Sequence, residues 1–459
     1  MSGAEGWGAL SLIPSLAVLG LAVWTRRPLE ALIFGSLLGH LMLSRGGFLG
    51  AFLENAQSVM AEPASVWVVL VVMLFGALIG ILARAGGSRA FGEALSRRLR
   101  TRRGVLLGAF GLGVVTFVDD YLNALAVGAA FRGAADRIGI SRARLAYVVD
   151  STAAPICVLI PASTWTVFIA GLFEANGLAE AGGGIGLYVS LIPYLLYPWF
   201  AILLVFAVIL GAVGDLGPMA DAERRLRSGA TPVTAALDES LEPATTQAPA
   251  RPGLRAPAFL VPILVLPAAT LALGGDALFG VVAALGVALA LTTLVRPAGG
   301  LGPVADGAFL GMEKMVYPLG IVLVSFILRD VNAALGLTEF VIGSVQPIAR
   351  AWMLPALVFV TLSGVAFATG SFWGAYTVSM PVVIGLAAEL GAPLPLTLGA
   401  LVSAGAFGSH ACFYGDATVL AARSAGCSIM EHVRTQFPYA LIGAGAALAG
   451  FVLLGLVAG

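Results

Sequence analysis

The chain has 459 residues, 59% hydrophobic and 11% charged, and its 25 basic and 25 acidic residues balance at neutral pH. Soluble domains carry about 25% charged residues, so a soluble enzyme and a nucleic-acid-binding protein are both disfavoured. A disordered chain needs the opposite composition, which leaves a polytopic helical membrane protein embedded in lipid.

Gly8–Trp24 and Leu29–Ser44 are the first apolar runs, each near the ~20 residues that cross a bilayer. The first has neither a basic leader nor an Ala-x-Ala site and reads as a retained span. Gly50–Leu53 opens an amphipathic stretch ahead of the run Val66–Leu82, and Arg84–Arg103 reads as a solvated basic face. A re-entrant hairpin is expected over about 104–131, its apolar arms flanking Asp119, Asp120, Tyr121 and Asn123. A broken helix is expected over about 145–174, where Asp150-Ser151-Thr152 and Pro155 interrupt an apolar segment. Leu187–Val213 follows, and 214–256, rich in Pro, Ala, Thr and charges, reads as a flexible cytoplasmic linker.

The second half repeats this order. Pro257–Leu273 and Ala277–Val295 are apolar runs, and Gly307-Ala308-Phe309-Leu310 echoes Gly50–Leu53. A second hairpin is expected over about 353–390 and a second broken helix over about 396–430, before the run Gln436–Val457. The expected architecture is therefore all-α, with repeats at 1–213 and 257–459, each of about five spans, a hairpin and a broken helix. With both termini outside, only Arg45, Arg329 and Arg350 of the basic residues face out, which satisfies the preference of Lys and Arg for the cytoplasm. The second repeat then starts inside where the first starts outside. Inverted repeats with interrupted helices and a midplane site are typical of secondary transporters.

The acids supply the chemistry. A carboxylate at the bilayer centre costs about 2.5–3.5 kcal/mol on insertion scales and is functional by default. Asp119 and Asp120 repel each other, so the pair can hold a proton or a cation but not easily both. The bland alternative is a hairpin that surfaces there. Asp119, Asp120, Asn123, Asp150, Ser151 and Thr152 together offer oxygens for Na+, and Ser163 and Thr164 either extend that seam or bond their own helix carbonyls. In the second half, Thr369, Ser371 and Phe372 mark the hairpin tip, while Ser409, His410, Phe413, Tyr414, Asp416 and Thr418 break the apolar segment. His410 beside Asp416 either shuttles protons or packs; His40 and His432 read as packing residues. Arg329-Asp330 with Asn332 reads as a helix end with a local ion pair, and an outer gate is the less favoured idea. Cys157, Cys412 and Cys427 show no pairing or metal spacing and suit small buried apolar positions. No cofactor is expected beyond H+ and Na+ as coupling ions.

These motifs resemble the NhaC family of sodium/proton antiporters. The likeness rests on Phe117-x-Asp119-Asp120-Tyr121-x-Asn123, Ser141-Arg142, Leu145-Ala146-Tyr147, Asp150–Pro155 and Ser163-x-Trp165. It resumes with Phe367–Gly370, Trp373-Gly374, Glu431–Gln436 and Pro438-Tyr439-Ala440. The resemblance implies an inner-membrane homodimer in which hairpins and broken helices form a transport unit that moves as an elevator. Members typically carry Gly-Asp-His-Cys-Ser-Pro-Ile-Ser-Asp-Thr where this chain has Gly408–Thr418, so one Asp is replaced by Ser409 and aromatic Phe413 and Tyr414 enter. Two readings follow. One is Na+/H+ antiport through Asp119, Asp120 and Asp150 with Asp416 assisting. The other is H+- or Na+-coupled transport of an amino acid or organic cation, with Phe372, Phe413 and Tyr414 shaping its pocket. An intramembrane aspartyl protease using Asp150 and Asp416 is disfavoured because its motifs are not met.

Overall fold

A computed structural model describes residues 7–458 apart from 26, 85–98, 118–119, 162, 181–182, 229–254, 274–276, 296–301, 346, 348 and 371. Asp119, Ser371 and most of the linker thus lie outside the described residues. Every regular element among those described is helical. The first half comprises α1 (Ile13–Thr25), α2 (Pro28–Ser44), α3 (Phe48–Ala61), α4 (Pro63–Arg84), α5 (Arg102–Val115), α6 (Asp120–Ile138), α7 (Arg142–Thr152), α8 (Ala154–Leu159), α9 (Thr164–Ala175), α10 (Gly184–Leu191) and α11 (Leu196–Leu210). After α12 (Gly217–Arg227) come α13 (Arg255–Ala272), α14 (Ala277–Val295), α15 (Gly302–Ala334), α16 (Leu337–Val345), α17 (Leu354–Thr369), α18 (Phe372–Leu390), α19 (Leu394–Ala411), α20 (Asp416–Ala425) and α21 (Ile429–Ala458). Among the described residues, five stretches are long and apolar enough to cross a membrane, and up to eight if each of three bent pairs is one span. This is an all-α polytopic membrane protein.

Helix starts recur in the two halves. Helices open at Arg102 and Arg142 in the first half and at Leu354 and Leu394 in the second, at identical intervals.

The interior forms two apolar bodies. One gathers α2, α4, α13, α14 and α15 around Phe75, Leu78, Val322 and Leu328, and reaches the hairpin helices α5 and α6. The other packs α8–α11 with α17–α19 and α21 around Trp165, Tyr197, Phe359 and Phe451. In the first body α4 crosses α15 at glycines spaced i, i+4 on both helices. A Cβ on Gly80 would lie 1.9 Å from the Gly307 carbonyl oxygen, and one on Gly311 2.0 Å from that of Gly76. Backbone-to-backbone contact of this kind supplies the van der Waals packing that holds helices together in lipid. Gly80→Leu therefore destabilises the solubilised protein by about 1–3 kcal/mol through overpacking, read as a lower melting temperature in detergent.

The flexible linker read from the sequence is corrected at its start. Gly217–Arg227 is a helix, α12, with Met219, Ala222 and Glu223 buried. Its amphipathic pattern gives those residues a face to bury against the helix bundle. The Glu223 carboxylate accepts the Ser141 backbone N–H at 3.0 Å, is bonded by Arg102, and lies 3.4 Å from Arg144 Nε. Arg225 pairs with Glu431 at 3.0 Å, Arg144 pairs with Asp215, and the Tyr439 hydroxyl accepts the Leu216 N–H at 2.8 Å. Together these bonds fasten α12 to the ends of α5, α7 and α21.

The Arg329 ion pair also reaches farther than the local contact expected. Arg329 Nη2 donates to Glu62 at 2.8 and 3.0 Å, and its Nε to Asp330 at 2.8 Å. Asn55 donates to Asp330 at 2.9 Å, so the cluster bridges α15 to the bend between α3 and α4.

Candidate functional site

Asp150 sits in the last turn of α7, fully buried. The helix stops two residues later because Ala153 leaves helical geometry (ψ −100°) and Pro155 opens α8. Proline supplies no N–H there and is pre-set for a helix start. On the other side, α19 ends where Cys412 turns extended, and α20 restarts at Asp416. The two interruptions face each other.

Three side chains converge on Asp150 Oδ2: Thr418 Oγ1 at 3.0 Å, His432 Nε2 at 3.0 Å and Gln436 Nε2 at 2.6 Å. Gln436 Nε2 also donates to the His410 carbonyl, and the Thr418 hydroxyl also reaches the Ser409 carbonyl at 2.9 Å. The His410 ring lies between two hydroxyls, Ser151 Oγ at 3.0 Å from Nε2 and Tyr197 OH at 2.7 Å from Nδ1. Asp416 takes the Tyr121 hydroxyl on Oδ2 and the Ala417 N–H at 2.9 Å on Oδ1. The Tyr121 ring in turn meets Trp67 of α4, centroids 5.9 Å apart.

Asn123 of α6 ties α5 to the end of α7. Its Nδ2 donates to the Gly113 carbonyl at 2.6 Å and to the Thr152 carbonyl at 2.7 Å. Gly113 has to be glycine, since a Cβ there would lie 2.2 Å from Thr152 Oγ1.

These bonds fix the amide orientations. Both amide nitrogens are committed to two acceptors each, so the amide oxygens must point elsewhere. Asn123 Oδ1, Gln436 Oε1, Asp150 Oδ1 and Ser409 Oγ are all buried without a hydrogen-bond partner. Buried polar groups are ordinarily paired. Gln436 bonds Asp150 directly and Thr418 links Asp150 to Ser409, so the unpaired oxygens of Gln436 and Ser409 belong to residues that meet at this carboxyl, an arrangement that suits a proton or a cation.

The structure thus brings Asp150, Ser151, Ser409, His410 and Thr418 into one network, with Asn123 and Thr152 at its edge and Asp416 nearby on α20. Asp120, in the first turn of α6, is buried. Thr152 Oγ1 is spent on Val148 and Val149 carbonyls of its own helix, both at 3.0 Å. Ser163 and Thr164 stand at a different break. Ser163 donates to the Cys157 carbonyl at 2.5 Å and caps α9, which Thr164 begins. Thr369 bonds the Val365 carbonyl at 2.9 Å within α17, and Phe372 stacks on Trp165 with centroids 3.9 Å apart. Tyr414 donates to the Ala368 carbonyl at 2.5 Å, its ring filling the space above Gly370. Gly370 carries φ +65°, a left-handed conformation that favours glycine. Phe413 packs edge-on against Phe367, centroids 6.2 Å apart.

His432, Gln436, Tyr121 and Tyr197 belong to the network although sequence reasoning singled out none of them as site residues. His432 and Gln436 are four residues apart and share one helix face. That spacing, inside the motif stretch Glu431–Gln436, is the signal that would have found them. Among the described residues no group of three or more His, Cys, Asp or Glu side chains is placed to hold a metal.

A profile of the Na+/H+ antiporter family matches residues 165–456. The chain belongs to that family. A protein of Haemophilus influenzae is 31% identical over 97% of this chain and 90% of its own length. The arginine/ornithine antiporter ArcD of Halobacterium salinarum is 32% identical over 35% of this chain and 34% of its own. The malate-2H(+)/Na(+)-lactate antiporter of Bacillus subtilis is 33% identical over 18% of each. The chain is accordingly a secondary transporter of antiporter type, and the network around Asp150 lies in a multi-pass membrane protein of the Na+/H+ antiporter family.

Proposed function

We propose that this transporter exchanges protons for a monovalent cation, Na+ foremost, at Asp150, and that it is of the NhaC type. The observation that carries this reading is the set of unpaired acceptor oxygens on Asp150, Asn123, Gln436 and Ser409. With Asp150 ionised, its Oδ1 and the two amide oxygens can ligate a hard cation, which prefers oxygen ligands. With Asp150 protonated, its own O–H satisfies one of those acceptors and the cation loses its charge partner. Competition for one carboxylate couples the two fluxes. His432 and Gln436 hold Oδ2, leaving Oδ1 as the exchanging atom. Asp120, buried in the first turn of α6, exchanges protons together with Asp150, and Asp416 assists through Tyr121.

The identical intervals between helix starts support two duplicated halves of inverted orientation, with hairpins and broken helices forming the moving unit. In this reading both termini face outward from the inner membrane, and the working unit is a homodimer.

A second reading is favoured by two relatives whose names specify organic ions: arginine and ornithine, malate and lactate. Ser409, standing where the family motif has Asp, removes one hard ligand and fits such a cargo. Proteoliposomes with an imposed pH gradient separate the two. Collapse of the gradient by Na+ or Li+, absent with choline, supports cation exchange; collapse only by an amino acid or a hydroxy acid transfers the site to an organic solute. No collapse by any of them overturns proton coupling.

A further inference from the structure

A groove of about 370 Å³ opens on the flank of the bundle between α17, α19 and α21, away from the Asp150 network. Its walls are apolar, with Phe359, Phe367, Phe407 and Phe437 among them. Gly364 and Gly445 form part of the lining, and a Cβ on either would meet nothing within 4 Å. At its rim Val360 is 52% and Leu441 48% exposed. Both lie on helices long and apolar enough to cross the membrane, so the groove is continuous with the lipid-facing surface. Along α21, Arg434 shares the helical stripe of Leu441, Gly445 and Leu448, because residues seven apart return to nearly the same face. Arg434 is exposed, one turn before Phe437 and on the end of α21 where Glu431 meets α12.

We propose that this groove holds an acyl chain of an anionic phospholipid whose phosphate is met by Arg434. A basic residue at the headgroup level with an apolar channel running from it toward the membrane interior matches the two ends of such a lipid. The occupant touches walls that also support the transport site. Phe407 stands edge-on to Tyr197, centroids 5.3 Å apart, and Tyr197 holds His410. The Phe367 carbonyl accepts the Cys412 thiol at 3.2 Å, at the break that follows α19. A filled groove therefore braces α17 and α19 behind the second broken helix.

Ser363 lines the groove and its buried hydroxyl has no hydrogen-bond partner. In Thr369 and Thr397, by contrast, the hydroxyl bonds the carbonyl four residues back, at 2.9 and 3.0 Å. A hydrocarbon chain makes no use of that hydroxyl, which separates a lipid from a polar ligand.

The test is lipid retention by the purified full-length protein, measured by mass spectrometry after exchange into phosphatidylethanolamine vesicles with and without phosphatidylglycerol. Wild type keeps phosphatidylglycerol preferentially. Arg434→Gln loses about fivefold of that preference, the size of one basic residue's attraction to an anionic surface. Gly364→Leu fills the groove and abolishes it, while Ser363→Ala leaves it unchanged or raises it. Equal retention of both lipids by wild type overturns the proposal, as does loss of retention in Ser363→Ala, which would give the groove to a polar ligand. Retention is read without transport, so failure of the cation-exchange reading leaves this result intact.

Discussion

Asp150→Asn yields a transporter that folds and melts like the parent but no longer exchanges protons for its cargo. The carboxamide has the shape of the carboxylate, and its oxygen can keep the bonds from Thr418, His432 and Gln436. Its NH2 then falls where Oδ1 stood without a partner. A donor at that position meets surrounding acceptors better than another oxygen does, so the melting temperature holds or rises. Flux falls to that of empty vesicles, because a carboxamide binds neither a proton nor a cation. His432→Leu and Gln436→Leu behave differently. Each strips a hydrogen-bond donor from the buried Asp150 side chain and costs about 1–3 kcal/mol by leaving Oδ2 poorly satisfied. Melting curves and sodium flux on the three variants make the comparison. Wild-type flux in Asp150→Asn would remove the carboxylate from the mechanism.

Glu223→Ala is the variant with the largest expected effect on stability. Deleting one partner of a buried, hydrogen-bonded ion pair costs about 3–5 kcal/mol, and here Arg102 and the Ser141 N–H lose their acceptor and Arg144 loses a neighbouring opposite charge. Burial alone would push the Glu223 carboxyl up, but hydrogen bonds from Arg102 and Ser141 and the charge of Arg144 outweigh it and hold it below the usual range. A carboxyl depressed in the folded state contributes stability that is complete above its unfolded value and is lost as pH falls through the folded one. The α12 dock therefore stays closed at neutral pH and releases only in acid below the ordinary carboxylate range. Limited proteolysis in the linker against pH follows this directly. In Glu223→Ala the cleavage becomes fast at neutral pH; unchanged cleavage would show that Glu223 does not hold α12.

Much of the architecture was legible because the bilayer imposes a simple pattern. Apolar runs of spanning length form helices, and Asp150, His410 and Thr418 meet where α7 gives way to α8 and α19 to α20. Partner choice was less legible. His432 reads as a packing residue because an isolated His inside an apolar helix carries no local mark of its partner, which lies 282 residues away. Tyr197 carries no local mark by sequence and Tyr121, although inside the Asp119–Asn123 motif, none of its partner; only the fold sets their hydroxyls on His410 and Asp416. Ser163 reads from the sequence either as part of the polar seam or as bonded to its own helix, and Tyr414 as an aromatic pocket wall. In the structure their hydroxyls bond the Cys157 and Ala368 carbonyls. The α12 helix was hidden by linker-like flanks, although the sequence Gly217–Arg227 is strongly amphipathic.

The Asn123 amide bears on how access to the site alternates. Pulling the first hairpin away from the first broken helix would strand the Gly113 and Thr152 carbonyls where no water can replace the lost donor, at several kcal/mol for each unsatisfied group. A gate that works by prising these elements apart is therefore disfavoured. Sliding the tied assembly as one piece past the glycine-packed α4–α15 pair leaves both bonds intact. In the proposed mechanism, in which that assembly moves as one piece, the seam between it and the α4–α15 pair separates the two aqueous compartments, and leak currents map to residues along that seam, such as Trp67, before they map to the ligands themselves.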